Sequence, residues 1–213
     1  MPVIVCFGDS NTYGFDQATS GRFAKSVRWP GVLAAELQAD AVEVIEEGLN
    51  GRTTIWDDPY LDGRNGRSYL VPCLRSHAPV DIVAIMLGTN DTKTIFGRSA
   101  AEIAAGARAL VDIALASGCG PDGGAPKVLL IAPPGPGEVT ARSEIWGFGE
   151  AKAKGERIPG LYRTAASLDG VAFLDASTVA GVDPEDGVHL TPQGHASLGH
   201  AVAAVVRSLL AGR

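Results

Sequence analysis

Ile82-Val83-Ala84-Ile85-Met86-Leu87 runs without a polar interruption into Gly88-Thr89-Asn90-Asp91. An unbroken apolar run of this kind reads as a parallel β-strand covered on both faces, because a strand with one wet face alternates apolar and polar residues. Working outward, Val3 to Phe7, Val42 to Glu46, Lys127 to Ala132 and Val171 to Asp175 read as further strands. Between them stand stretches with helical character at Val27 to Leu37, Tyr69 to Ser76 and Ser99 to Ser117. The third of these has Ser99 as cap, Glu102 at capping-box spacing and Gly118 as its stop. A long irregular segment covers Gly48 to Asn65, and a poorly patterned helical region follows the Pro- and Gly-rich loop at Pro133 and runs to Leu168. The last helix starts at Thr191-Pro192, with Pro at the first helical position, and runs to Leu210. Alternation of strand and helix predicts the α/β class, a parallel sheet with helices on both faces.

Bulk properties narrow the function classes. The length of 213 residues fits one domain, 1–213, with no linker or internal repeat. The formal charge of −6, with scattered basic residues, argues against a nucleic-acid partner; Arg64 and Arg67 are the nearest approach to a basic cluster. Cys6, Cys73 and Cys119 are odd in number and form no C-x-x-C pair, which suits free thiols in a reducing compartment. No basic region precedes Val3, and no stretch approaches the ~18 apolar residues of a membrane span. A soluble, cytoplasmic protein without a membrane partner is the expectation.

Open parallel sheets bind ligands beyond the carboxyl ends of their strands. The first strand leads into Gly8-Asp9-Ser10-Asn11-Thr12 and the second into Gly48-Leu49-Asn50-Gly51-Arg52-Thr53. The third leads into Gly88-Thr89-Asn90-Asp91, and Asp186-Gly187-Val188-His189-Leu190-Thr191 lies beyond the fifth. These segments are expected on one rim. A serine hydroxyl is inert at neutral pH unless a base removes its proton, so Ser10 is a nucleophile candidate; a plain helix cap is the alternative. Of four histidines, only His189 has an Asp three residues before it. Asp186 can accept from one ring nitrogen while the other faces Ser10; a surface histidine beside a turn Asp is the alternative. The Ser10 and Gly51 N–H groups and the Asn90 amide are candidate oxyanion donors, against simple turns at Gly51 and Asn90. His195 and His200 fall in the last helix with no Cys or Glu at ligand spacing, so no metal is expected.

Phe7-Gly8-Asp9-Ser10 with Thr12, then Gly51, then Gly88-Thr89-Asn90-Asp91, then Asp186-Gly187-Val188-His189 resemble, in order and over nearly the whole chain, the SGNH hydrolases, also called the GDSL family. The resemblance implies a five-stranded, flavodoxin-like three-layer α/β/α sandwich. It also implies a catalytic set of Ser10, Asp186 and His189, an oxyanion hole of Ser10, Gly51 and Asn90, and no cofactor. Glu46 to Thr54, Ile85 to Lys93 and Val27-Arg28-Trp29 are similar to the arylesterase/acyltransferase branch. That branch hydrolyses short-chain acyl or aryl esters, and some members transfer the acyl group to alcohols or peroxide from an apolar pocket in a homo-oligomer. Asn50-Gly51 and the 134–160 segment depart from it.

The expectation is therefore a serine esterase acting through an acyl-enzyme on a small-molecule ester. A carbohydrate O-acetyl esterase or a thioesterase on the same residues is the second reading, and a non-catalytic flavodoxin-like binding module the third. Pocket candidates are Asp9, Asn11, Tyr13, Trp56 and Val188, with Phe15 beside them. Trp146 and Phe148 stand as a lid or a subunit contact.

Overall fold

The structure, a computed structural model, describes residues 1–212. Its elements begin with β1 (Val3–Gly8), α1 (Ser10–Tyr13), β2 (Phe15–Asp16), β3 (Gly21–Arg22), α2 (Trp29–Glu36) and β4 (Glu43–Gly48). Then come α3 (Gly66–His77), β5 (Ile82–Met86), α4 (Ala100–Leu115), β6 (Lys127–Ala132) and α5 (Ala141–Ile145). The chain continues with α6 (Ala151–Gly155), α7 (Ile158–Asp169), β7 (Ala172–Asp175) and α8 (Pro192–Ala211). The main sheet has five strands, all parallel, in the order β4-β1-β5-β6-β7. Taken in chain order, the second strand lies outside the first, and the rest follow on the other side. This is the flavodoxin-like winding, whose switch point lies between β1 and β5.

Strand periodicity explains the layers. Val5, Phe7, Val83, Ile85, Val128 and Leu130 point to one face, where α3, α4 and α7 cover them. Ile4, Cys6, Ile82, Ala84, Met86, Leu129 and Ile131 point to the other, beneath α2 and α8. Both faces are dry, which is why β5 reads as continuous apolar sequence. Each fully buried Val, Ile, Leu or Phe contributes roughly 1.5–3 kcal/mol of burial free energy. Edge strand β4 carries Glu43, Glu46 and Glu47; Arg28 and Arg22 pair with Glu46 across the sheet border.

Several boundaries move for local reasons. Helix α2 starts at Trp29, not Val27, because Pro30 occupies its first turn and Arg28 is extended (φ −70, ψ 141). Helix α3 starts at Gly66 instead of Tyr69, capped by the Asn65 side chain, which accepts from the Arg67 N–H. Strand β4 spans Glu43–Gly48, and β7 begins at Ala172. The poorly patterned region holds α5, α6 and α7; the last buries Ile158, Tyr162, Ala165 and Ala166 and stops at Gly170 in the left-handed conformation. The small β2–β3 hairpin was not expected from the sequence. Among the described residues no helix is long and apolar enough to cross a membrane.

Candidate active site

The site forms where α1 folds back on the sheet. Strand β1 ends at Gly8, whose neighbours in register are Gly48 and Met86. A Cβ on Gly8 would meet Thr12 Oγ1 at 2.0 Å, so only glycine lets this short helix sit so close to the strand that feeds it. Asp9 caps α1 by accepting from the Asn11 N–H at 2.9 Å. Ser10 is therefore the first helical residue, and its N–H has no intrahelical acceptor.

Ser10 lies 6% exposed against His189, which is 8% exposed, at a separation of 3.0 Å between Oγ and Nε2. The Nδ1 of His189 is 2.7 Å from Asp186 Oδ2. Asp186 is fully buried, and its Oδ1 accepts the backbone N–H groups of Val188 and His189 at 2.8 and 2.9 Å. Burial pushes the Asp186 carboxyl up, but the bonds from the His189 ring and from these two amides outweigh it, and the carboxyl sits below its ordinary value. An ionised Asp186 can only accept, so the proton of neutral His189 belongs on Nδ1. That leaves Nε2 as the acceptor facing the Ser10 hydroxyl.

Asn11 holds the two ends of the chain together. Its Nδ2 donates to the Val188 carbonyl at 3.2 Å, and its Oδ1 accepts the Leu190 N–H at 2.8 Å, bracketing His189. Phe15 and Trp146 flank the imidazole, with ring centroids 4.6 and 5.6 Å from it.

The candidate donor groups come from two other loops. Gly51 has φ +80, which a side chain would strain. Asn90 follows β5 on the sheet's switch-point side, and its Nδ2 donates to the Arg52 carbonyl at 3.1 Å. One amide hydrogen is thereby fixed and the other remains available. Arg52 is buried with its guanidinium over Phe7; its Nη1 donates to the carbonyls of Gly8, at 2.9 Å, and Glu47. This one side chain ties together the ends of β1 and β4. Asp91 sits beneath, accepting from the Thr54 N–H with both oxygens at 3.1 Å; burial pushes its carboxyl up to about 6.

A cavity of about 300 Å³ opens beside Ser10, His189, Gly51 and Asn90. Phe15, Leu61, Trp146 and Phe148 form its apolar wall, and Asn50, Arg64 and Lys93 its polar wall. Of the expected pocket residues, Phe15 lines this cavity, whereas Asp9, Asn11, Tyr13, Trp56 and Val188 do not. Asp9 and Asn11 turn inward as cap and tie. Tyr13 lies under the Arg22 guanidinium, and Trp56 under that of Arg98, 4.3 and 4.0 Å from the ring centroids. Val188 packs behind the wall with Phe148 and Ala151. Trp146 and Phe148 are wall residues, held because the Thr94 N–H donates to the Gly147 carbonyl at 2.9 Å. Leu61, Arg64 and Lys93 went unrecognised as wall residues; no local pattern marks a loop side chain as facing a cavity.

Two other places lack this chemistry. A larger hollow of about 700 Å³ runs along α6 past Lys152, Lys154 and Arg157, away from Ser10 and His189, so volume alone does not locate the site. Glu47, Cys73 and His77 bring ligating atoms within 4.8 Å of one another. Burial, then the charge of Glu47, pushes the Cys73 thiol up to about 12, and the Arg52 cation acts on both Glu47 and Cys73. The trio is a hydrogen-bonded group, with His77 on Glu47 at 2.9 Å. His195 is buried and accepts the Trp29 N–H at 3.3 Å, and His200 pairs with Glu36 on the surface.

Comparison with known proteins agrees with this geometry. Residues 6–197 match the model of the GDSL-like lipase/acylhydrolase family. An aryl esterase from M. smegmatis is 44% identical, with TM-score 0.92, covering 98% of this chain and 100% of its own. A carbohydrate acetylesterase from Sinorhizobium meliloti is 40% identical, with TM-score 0.91 and the same coverage of 98% and 100%. A carbohydrate acetylesterase family member from the same organism is 36% identical, with TM-score 0.93, covering 99% and 100%. No curated protein matches the chain.

Proposed function

The chain belongs to the GDSL-like lipase/acylhydrolase family, and from that premise we propose that it is a serine esterase of short-chain acyl or aryl esters, with Ser10 as nucleophile. One observation carries the reading: the continuous path from Ser10 Oγ through the His189 ring to the buried Asp186 carboxylate, 3.0 and 2.7 Å per link. His189 Nε2 takes the hydroxyl proton as Oγ attacks the ester carbonyl. The tetrahedral oxyanion is held by the N–H groups of Ser10 and Gly51 and by the free hydrogen of the Asn90 amide, each donor contributing about 10²–10³ in rate. Asp186 stabilises the imidazolium. The imidazolium then gives its proton to the departing alcohol. Water, deprotonated in turn by His189, attacks the acyl-enzyme and releases the acid. None of these steps needs a cofactor.

The test is turnover of 4-nitrophenyl acetate together with labelling by a fluorophosphonate, before and after Ser10→Ala. Wild type should respond in both assays and the variant in neither. A wild type inert in both would leave the flavodoxin-like binding module as the better reading.

The relatives described as carbohydrate acetylesterases favour a second substrate class on the same residues, O-acetylated sugars. An acyl-length series on nitrophenyl esters beside an acetylated monosaccharide separates the two. Acyl transfer to alcohols or peroxide is a further proposal, supported by the aromatic wall around His189; added alcohol should then divert acyl groups from hydrolysis. A homo-oligomer is proposed too, supported by Tyr60 and Ile145, which are 79% and 84% exposed. Sedimentation velocity measures it. The free, buried Cys6, Cys73 and Cys119 suit the proposed cytoplasmic location.

A further inference from the structure

The cavity beside Ser10 carries a charge that attack on a neutral ester does not need. Among the described residues two cations, Arg64 and Lys93, line it and no carboxylate does, in a chain whose formal charge is −6. Neither cation is neutralised by contact. Arg64 lies across Gly51, where an added Cβ would stand 3.4 Å from its Cδ and Nε. Its Nε is buried without a hydrogen-bond partner, and its Nη1 donates to the Asp62 carbonyl at 3.1 Å. Among the described residues Lys93 has no hydrogen bond or ion pair; its Nζ stands 5.1 Å from the centre of the Phe148 ring.

None of the acids that act on Lys93 is in ion-pair contact with it among the described residues. Asp58 accepts the Tyr60 and Leu61 N–H groups at 2.8 and 3.1 Å, as a turn residue. Asp9 and Asp91 lie fully buried beneath the site. Burial lowers the Lys93 ammonium from its ordinary value, against the pull of Asp58, Asp9 and Asp91 and with the push of Arg64. A partly desolvated cation with no counterion in contact is costly, and an anion arriving with the substrate reduces that cost. Apolar and cationic groups together also match a specific ligand, an aromatic or aliphatic body with one anionic end.

We propose that this cavity selects esters bearing a carboxylate on the part remote from the scissile carbonyl, with Arg64 and Lys93 holding that carboxylate. The proposal rests on Ser10 as nucleophile and adds the substrate class.

Two matched pairs test it: 4-acetoxybenzoate against its methyl ester, and the mono-4-nitrophenyl ester of succinate against 4-nitrophenyl butyrate. The readout is the ratio of kcat/KM, anionic over neutral, compared between wild type and variant, which cancels the intrinsic reactivity of the esters. In at least one pair Arg64→Gln and Lys93→Gln should each lower that ratio about tenfold, the size of one charge-assisted contact. Lys93→Arg should retain it, and added salt should erode the wild-type preference. Binding gives a second measurement independent of turnover. Ser10→Ala should be thermally stabilised by 4-acetoxybenzoate more than by its methyl ester, and the difference should vanish when Lys93→Gln is added. Ratios unmoved by both charge removals in both pairs would overturn the proposal. So would equal stabilisation by the two esters. Failure of Ser10 as nucleophile reads differently, as turnover that survives Ser10→Ala, or as a wild type inert on neutral and anionic esters alike, with selective binding intact.

Discussion

His189 owes its role to what surrounds it: a carboxylate on one nitrogen, a hydroxyl on the other and Asn11 gripping the backbone on both sides. Ser10→Ala and His189→Ala should each lower kcat by about 10⁴–10⁶, and the double variant should be little worse, because the groups act as a unit. Asp186→Asn should cost no more than either, about 10⁴, by favouring the wrong tautomer while leaving a side-chain oxygen for the Val188 and His189 amides. Asn11→Ala tests positioning: kcat for phenyl acetate should fall roughly 10–100-fold with KM little changed, since a misplaced base hurts the transition state more than binding. Asp91 gives a pH signature. Its folded value, about 6, lies above the ordinary 3.8, so its contribution to stability is full below about pH 4 and is lost as pH rises through 6. Thermal melts of Asp91→Asn should lack that loss. Ser10, Asp186, His189, Gly51 and Asn90 could be singled out as candidates because each stands in a short polar motif after an apolar run, and the structure brings them together. Asn11 was read as pocket-lining, because a sequence does not say toward which partner an amide turns.

Helices α2 and α8 meet in close packing at the face opposite α3, α4 and α7. A Cβ on Gly199 would come within 2.7 Å of the Val32 side chain and 3.0 Å of the Trp29 carbonyl. Gly199→Ala should therefore destabilise the protein by about 1–3 kcal/mol despite its better helix propensity, read as a lower denaturant midpoint at unchanged m. The same junction holds His195, whose ring burial, followed by the charge of His189, lowers to about 4 from the ordinary 6.5. A depressed histidine contributes stability above pH 6.5 that is lost as pH falls toward 4, roughly 3 kcal/mol when fully expressed. Chemical denaturation of His195→Gln across that window should show a smaller acid loss than wild type. Elements with a strong period or a clear cap, such as β5 and α4, were legible with near-correct ends. The β2–β3 hairpin and the split of the 134–160 segment were not. Their strands and helices are too short to show a period, and packing on other elements stabilises them.

Across the whole molecule, the winding brings the loops after β1, β4 and β5 to one rim, and the loop before α8 closes over them. Ser10 and His189, at opposite ends of the chain, meet for that reason. The sequence by itself determined the alternation of elements, the two dry sheet faces and the chemistry-bearing residues, because these are written in local period, in glycine placement and in motifs a few residues long. Tertiary structure alone decided the wall of the cavity. It added Leu61, Arg64 and Lys93 to the Phe15 that the sequence had offered, seated Trp146 and Phe148 beside them, and turned Tyr13, Trp56 and Val188 away. Which way a loop side chain faces depends on contacts with segments far along the chain, and no local pattern encodes those.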